Sequence, residues 1–93
     1  MKIEFDPAKN AKNVLDRGLP FQLLEEFEWE GAVVSEDMRF SYPETRFNAL
    51  GFIGERLHIV CFTAIPGGIR VISFRKANHR ESTRYEEEKI ANR

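Results

Sequence analysis

The sequence predicts one α+β domain: an antiparallel β-meander with two helices before it and one after, in the order β-α-α-β-β-β-β-α. Two observations carry that prediction. Three runs rich in β-branched and aromatic residues, 46–53, 57–65 and 69–75, are joined by Gly54-Glu55-Arg56 and Pro66-Gly67-Gly68. Links so short make antiparallel hairpins, because parallel pairing needs a long crossover. Helix-start and helix-stop residues bracket the stretches on either side of those runs. Residues 1–93, 42 % hydrophobic with eight Phe, suffice for one small core in a single domain.

Ile3-Glu4-Phe5 reads as a short opening strand. Asp6 at the N-cap and Pro7 at the first helical position start a helix, and Gly18 stops it. Ala8, Ala11, Val14 and Leu15 fall on one side of that helix as an apolar stripe. Pro20 opens a second, shorter helix with Phe21, Leu24 and Phe27 as its buried side. Ala32-Val33-Val34-Ser35 is a brief strand, and residues 37–43 are a loop. The three long strands follow. Asn78 then caps a closing helix over 78–91, with Glu81 completing a capping box. Strict alternation along the last strand sets Ile69, Val71, Ser73 and Arg75 on one side and Arg70, Ile72, Phe74 and Lys76 on the other. Helices on one face of the sheet would leave the other for a partner or a ligand groove.

Composition excludes several classes. Charged residues make up 31 % of the chain, and no apolar run approaches the roughly 20 residues of a membrane helix. Met1-Lys2-Ile3-Glu4-Phe5-Asp6 contains no apolar signal-peptide core, so a cytoplasmic protein with no membrane association is expected. The single cysteine, Cys61, lies in an apolar run and reads as a buried thiol. His58 and His79 are 21 residues apart, and no Cys–His or His–carboxylate pair has ligand spacing, so neither a metal nor another cofactor is expected. There is no nucleophile elbow, and Pro66-Gly67-Gly68 is a hairpin turn rather than a phosphate loop.

Charge is unevenly spread. Residues 1–45 carry five Lys/Arg and ten Asp/Glu, whereas residues 46–93 carry nine and five. The cations gather between Ile69 and Tyr85, where Arg70, Arg75, Lys76, His79, Arg80 and Arg84 face one acid, Glu81. Cations concentrated where a strand meets a helix suit an anion, with phosphate the first choice. Such a cluster meets the needs of RNA cleavage by the substrate's own 2′-hydroxyl. That reaction requires cations for the phosphorane charge and groups to move two protons. Arg46, Arg70, Arg75, Lys76 and Arg80 are candidates for the charge; Glu81, His79 or Tyr85 for the protons. Tyr85 could instead stack on a base. The plainer alternative is a solvated helix face, with Arg80 and Arg84 one turn apart, Arg84 paired to Glu88 and Tyr85 in the core.

Four segments, in order, resemble the BrnT family of small toxins: Phe5-Asp6-Pro7-Ala8-Lys9 with Asn13 and Gly18; Phe21; Arg46-Phe47 with Leu50-Gly51; and Ile69-Arg70-Val71-Ile72-Ser73-Phe74-Arg75-Lys76-Ala77 followed by Arg80-Glu81 and Tyr85. The last is the most specific. The resemblance implies a RelE-like fold, translation arrest by a metal-independent endoribonuclease, and neutralisation in a hetero-oligomer with a BrnA-like, ribbon-helix-helix-like antitoxin. It points to Lys9, Arg46, Arg70, Ser73, Arg75, Lys76 and Arg80 as site candidates. Many relatives carry His where this chain has Arg17, just before Gly18. If that His acts as base or acid, this protein has lost that group; if it only caps the helix, Arg17 can do the same.

The expectation is therefore an endoribonuclease with Arg70 and Arg75 on the phosphate, Arg46 and Lys9 in support, and Glu81 or His79 accepting the proton. The competing reading is a non-catalytic module that holds RNA or an acidic protein on the same basic face.

Overall fold

The computed structural model describes residues 1–92. The elements are β1 (Lys2–Glu4), α1 (Pro7–Arg17), a 3₁₀ helix (Phe21–Glu26), β2 (Val33–Glu36), β3 (Phe47–Ile53), β4 (Arg56–Ile65), β5 (Gly68–Lys76) and α2 (His79–Ala91). They form an α+β domain around one five-stranded sheet of order β1-β5-β4-β3-β2.

Strands β2 to β5 make the expected meander, but the sheet is mixed, because β1 runs parallel to β5 with Ile3 opposite Ile69. The meander leaves the outer edge of β5 unpaired. The whole intervening chain serves as the long crossover that parallel pairing requires. Beyond β1 that edge is met by α1, whose Arg17 Nη1 donates a long bond (3.5 Å) to Phe74 O. Arg17 thus ties α1 to β5. The α1 terminus itself is closed by Gly18, at φ 66°, whose N–H donates to Val14 O at 2.8 Å.

The alternation expected for β5 fails at one residue. Cys61 pairs with Ser73 while Phe62 pairs with Val71, so Ile72 is an extra residue, a β-bulge. The bulge re-phases the strand. Ile69, Val71 and Phe74 all enter the main core, and register puts Arg70, Ser73 and Arg75 together on the opposite face. Sequence alternation alone had placed Phe74 with Arg70 and Val71 with Arg75.

Helices cover both faces, not one. On the first face Phe21, Leu24, Phe27, Val60, Phe62 and Phe74 form the main core, to which the 3₁₀ helix contributes Phe21 and Leu24, with Phe27 just past its end. Burying each such side chain contributes about 1.5–3 kcal/mol. On the second face a smaller cluster, Leu50, Leu57 and Ala77, receives Phe52 and Tyr85, so α2 docks there. Tyr85 meets Phe52 edge-on at 5.5 Å and donates from its hydroxyl to Gly31 O at 3.2 Å.

The apolar stripe expected on α1 is not buried. Val14 and Leu15 are 43 % and 85 % exposed, and no α1 residue is in the core. Polar bridges hold the helix instead: Phe21 N–H donates to Asn10 Oδ1 and Asn13 Nδ2 to Leu19 O, both at 2.8 Å. Among the described residues no helix is long and apolar enough to cross a membrane.

Candidate active cleft

The Ile72 bulge, the 37–46 loop and the first turns of α2 enclose a cleft of about 420 Å³ on the second face. Its lining includes four guanidinium groups, Arg39, Arg46, Arg75 and Arg84, against two carboxylates, Asp37 and Glu81. Asn48, Cys61 and Ser73, neighbours across β3, β4 and β5, form part of the lining. Cys61 is buried and burial pushes its thiol pKa up, so it contributes bulk and not a nucleophile.

Each cation is held differently. Arg75 joins Glu81 through two bonds, Nη1 to Oε1 and Nη2 to Oε2, both 2.8 Å, and its Nη1 also donates to Lys76 O at 3.2 Å. Three of the five guanidinium donors are thereby used. The Nε–H and one Nη2–H remain, and they form the side-on edge that binds phosphate oxygens in pairs. Arg39 grips Asp37 through Nε (2.9 Å) and Nη2 (2.8 Å). Arg46 Nε reaches Glu44 at 3.2 Å while its guanidinium lies 4.2 Å above the Tyr42 ring. Arg84 Nη2 donates to a neutral partner, Ser35 Oγ, at 3.0 Å, and forms no ion pair among the described residues.

Glu81 is bound twice over. It accepts from Arg75 and, as the third residue of α2 and partner of Asn78 in the capping box, from Asn78 N–H at 2.9 Å. The Arg75 guanidinium, above all, holds its carboxyl below the usual carboxylate range. Asp37 is more strongly fixed. Its side chain is 1 % exposed and accepts from Arg39 N, Arg39 Nε and Nη2, and Tyr42 OH, which hold its pKa far below the ordinary value.

A second groove adjoins the first across the bulge. Lys9, Lys12, Asn13, Asp16 and Arg17 of α1 line it with Ile72 and Ser73, the two residues it shares with the cleft. Cations from α1 and from the second face therefore meet over one stretch of β5.

The sequence-expected residues divide. Arg46, Ser73, Arg75 and Glu81 share the cleft, and Lys9 lines the adjoining groove with Ser73. Arg70 does not join them: it sits opposite Thr63 and is bound to Glu4 Oε1 through Nε (3.0 Å) and Nη2 (2.8 Å). Four strand positions, about 13 Å, separate its Thr63 partner from the Ile59 partner of Arg75. His79 and Tyr85 line a separate hollow of about 470 Å³ with Phe52, Leu57 and Ser82, on another side of α2 from Glu81 and Arg84. That hollow is slightly larger, but it contains one guanidinium, Arg56, whose Nη2 donates to Ala77 O at 3.0 Å, so the cationic cleft is the better candidate for an anion. Arg80 and Lys76 are exposed and line neither space. His58 is buried against Phe74, and burial lowers its pKa. Among the described residues no cluster of His, Cys, Asp and Glu could hold a metal ion.

Asp37, Arg39, Tyr42, Asn48 and Arg84 are cleft residues that did not stand out as site candidates. Arg39 and Tyr42 lie in a loop without periodicity, where the sequence marks no contact; Arg84 follows Glu81 at helical spacing and could have been found from that spacing.

The chain is thus a small α+β domain with a mixed sheet and a walled, guanidinium-rich cleft whose chemistry suits an anion. The family model for the ribonuclease toxin BrnT, of type II toxin-antitoxin systems, matches residues 5–81, and the chain belongs to that family. No curated protein matches the chain. Membership implies an RNA substrate and an antitoxin partner.

Proposed function

We propose that the protein is a metal-independent endoribonuclease whose cleft between β5, α2 and the 37–46 loop cleaves RNA by attack of the 2′-hydroxyl on the adjacent phosphorus. The products are a 2′,3′-cyclic phosphate and a free 5′-hydroxyl. The single observation that carries the reading is Arg75: Glu81 fixes its end-on edge and leaves the side-on edge for a phosphate. Arg46 and Arg84 add charge from two other elements, and Lys9 and Arg17 extend the cationic track for the strand's backbone. Charge develops on the non-bridging oxygens as the phosphorane forms, so preformed guanidinium donors lower the barrier there.

Proton transfer is the weaker half of the mechanism. Of the groups offered by the sequence, Glu81 alone lines the cleft, so it is the acceptor assigned, and the proton it takes from the 2′-hydroxyl passes to the 5′ oxygen as the P–O5′ bond breaks. Its lowered pKa makes it a poor base, and most of the acceleration then comes from charge stabilisation. Removing Arg75 is expected to cost about 10²–10³-fold in cleavage, on the scale of losing one oxyanion donor.

Translation arrest, a RelE-like arrangement of the domain, a cytoplasmic site of action and a BrnA-like antitoxin in a hetero-oligomer belong to the same reading. The test is cleavage of single-stranded RNA by the purified protein in the presence of a chelator, with the ends of the products identified. A second reading, an inert RNA-binding homologue, is favoured by the depressed Glu81 and by Arg17 in place of His. It requires tight binding with no turnover.

A further inference from the structure

A second hollow, about 240 Å³, opens beside the cleft and shares Asp37, Tyr42 and Arg46 with it. Met38, Phe40, Tyr42 and Pro43 give it apolar walls, and Glu36 and Glu44 also line it. Phe40 is 68 % exposed and Met38 76 % exposed, on a loop that is otherwise firmly tied. Asp37 anchors the loop's start through Arg39 and Tyr42, and Asp37 N–H donates to Arg46 O at 2.7 Å to close it. Phe40 is steadied without being covered: its ring meets Tyr42 edge-on at 6.0 Å, and the Arg39 guanidinium lies 5.9 Å from its centroid. Leaving an aromatic side chain in water forfeits burial free energy that a core position would supply.

We infer that the 37–46 loop is a nucleobase subsite in which Phe40 stacks on an unpaired base of the RNA strand whose phosphate lies against Arg46 and Arg75. The inference rests on the ribonuclease reading and adds the part of the substrate that the cations do not address. Arg46 links the two spaces, since it lines both. The carboxylates of the hollow repel a phosphate, so what enters from the neighbouring cleft is the base and not the backbone. Glu36 and Glu44 are acceptors for the ring N–H and amino donors at a base edge. The same carboxylates disfavour an acidic protein segment. Stacking on an exposed aromatic selects single-stranded over paired RNA, because a base inside a duplex has both faces covered by its stacked neighbours.

The test is binding of a short 2′-O-methylated single strand, which has no attacking hydroxyl, to wild type, Phe40→Ala, Phe40→Trp and Arg46→Ala over a salt series. Loss of one base stack weakens binding roughly 5- to 150-fold. Phe40→Ala is expected to show that loss with an unchanged salt slope, and Phe40→Trp to retain wild-type affinity. Arg46→Ala is expected to flatten the slope instead. Phe40→Ala binding RNA as well as wild type overturns the subsite while leaving the ribonuclease reading intact. If Phe40→Ala keeps RNA binding and loses a co-expressed antitoxin, the residue is a protein contact and the inference fails. If wild type does not bind the strand, both readings fall together.

Discussion

Arg75 and Glu81 meet end-on, Nη1 to Oε1 and Nη2 to Oε2, so one bidentate ion pair locks the end of β5 to the first turn of α2. The same carboxylate completes the α2 capping box. One acid thereby orients the Arg75 guanidinium and starts the helix.

That double duty gives a pH signature. Glu81 titrates below its ordinary 4.5 because Arg75 and the Asn78 N–H favour its charged form. A folded-state pKa below the unfolded one adds stability above the unfolded value, which is lost as pH falls through the folded value. Glu81→Gln is therefore expected to unfold more easily than wild type at neutral pH, by about 1 kcal/mol given the partial exposure of Arg75. The two proteins should converge on acidification below 4.5. Thermal unfolding across that range checks it, and a gap that persists in strong acid contradicts it.

Asp37 organises the loop that walls the cleft. Asp37→Asn keeps the side chain's shape and removes the charge that Arg39 and Tyr42 address. Faster amide exchange confined to residues 37–46 is the expected outcome, with the core amides unchanged. Its strongly lowered pKa means the wild-type advantage is present above the usual carboxylate value of 3.8 and survives well below it before acid removes it. Uniform loss of protection across the sheet would instead make Asp37 a global stability element.

Phosphate contacts leave a trace in salt dependence. Arg46→Ala and Lys9→Ala are each expected to reduce the number of released counterions by about one. Arg70→Ala, removed from the cleft and tied to Glu4, is expected to leave the salt slope unchanged. RNA affinity measured across a salt series separates the three. An Arg70→Ala slope that falls as far as that of Arg46→Ala would return Arg70 to the site.

Gly51 tests the packing under the sheet. A Cβ there would lie 2.5 Å from Phe27 Cζ and 2.8 Å from Cε1, and Phe27 is a core residue with little freedom to yield. Gly51→Ala is expected to cost about 1–3 kcal/mol in denaturant unfolding. An unchanged midpoint would mean the ring relocates freely.

Much of this was legible beforehand. The caps at Asp6 and Asn78, the stops at Gly18 and the two hairpin turns rest on local chemistry, and the structure reproduces them. The failures are non-local. Nothing in Lys2–Glu4 specifies pairing with Gly68–Arg70, so the opening strand was legible but its parallel place at the sheet edge was not. Period-two alternation has no means of anticipating the extra residue at Ile72, and that one residue decides which side chains of β5 face the cleft. The cation cluster looked single because a helix places neighbours in sequence on different sides. Glu81 and Arg84 line one space while His79 and Tyr85 line another. On α1, the apolar stripe suggested burial, yet Asn10 and Asn13 dock the helix through the chain that follows it.

The most direct test is incubation of the purified protein with single-stranded RNA under chelation, wild type beside Arg75→Ala, with both product ends identified. Wild type is expected to release 2′,3′-cyclic phosphate and 5′-hydroxyl ends, and Arg75→Ala to cleave about 10²–10³-fold more slowly while remaining folded. Intact RNA with the wild type, or equal cleavage by both proteins, would contradict it.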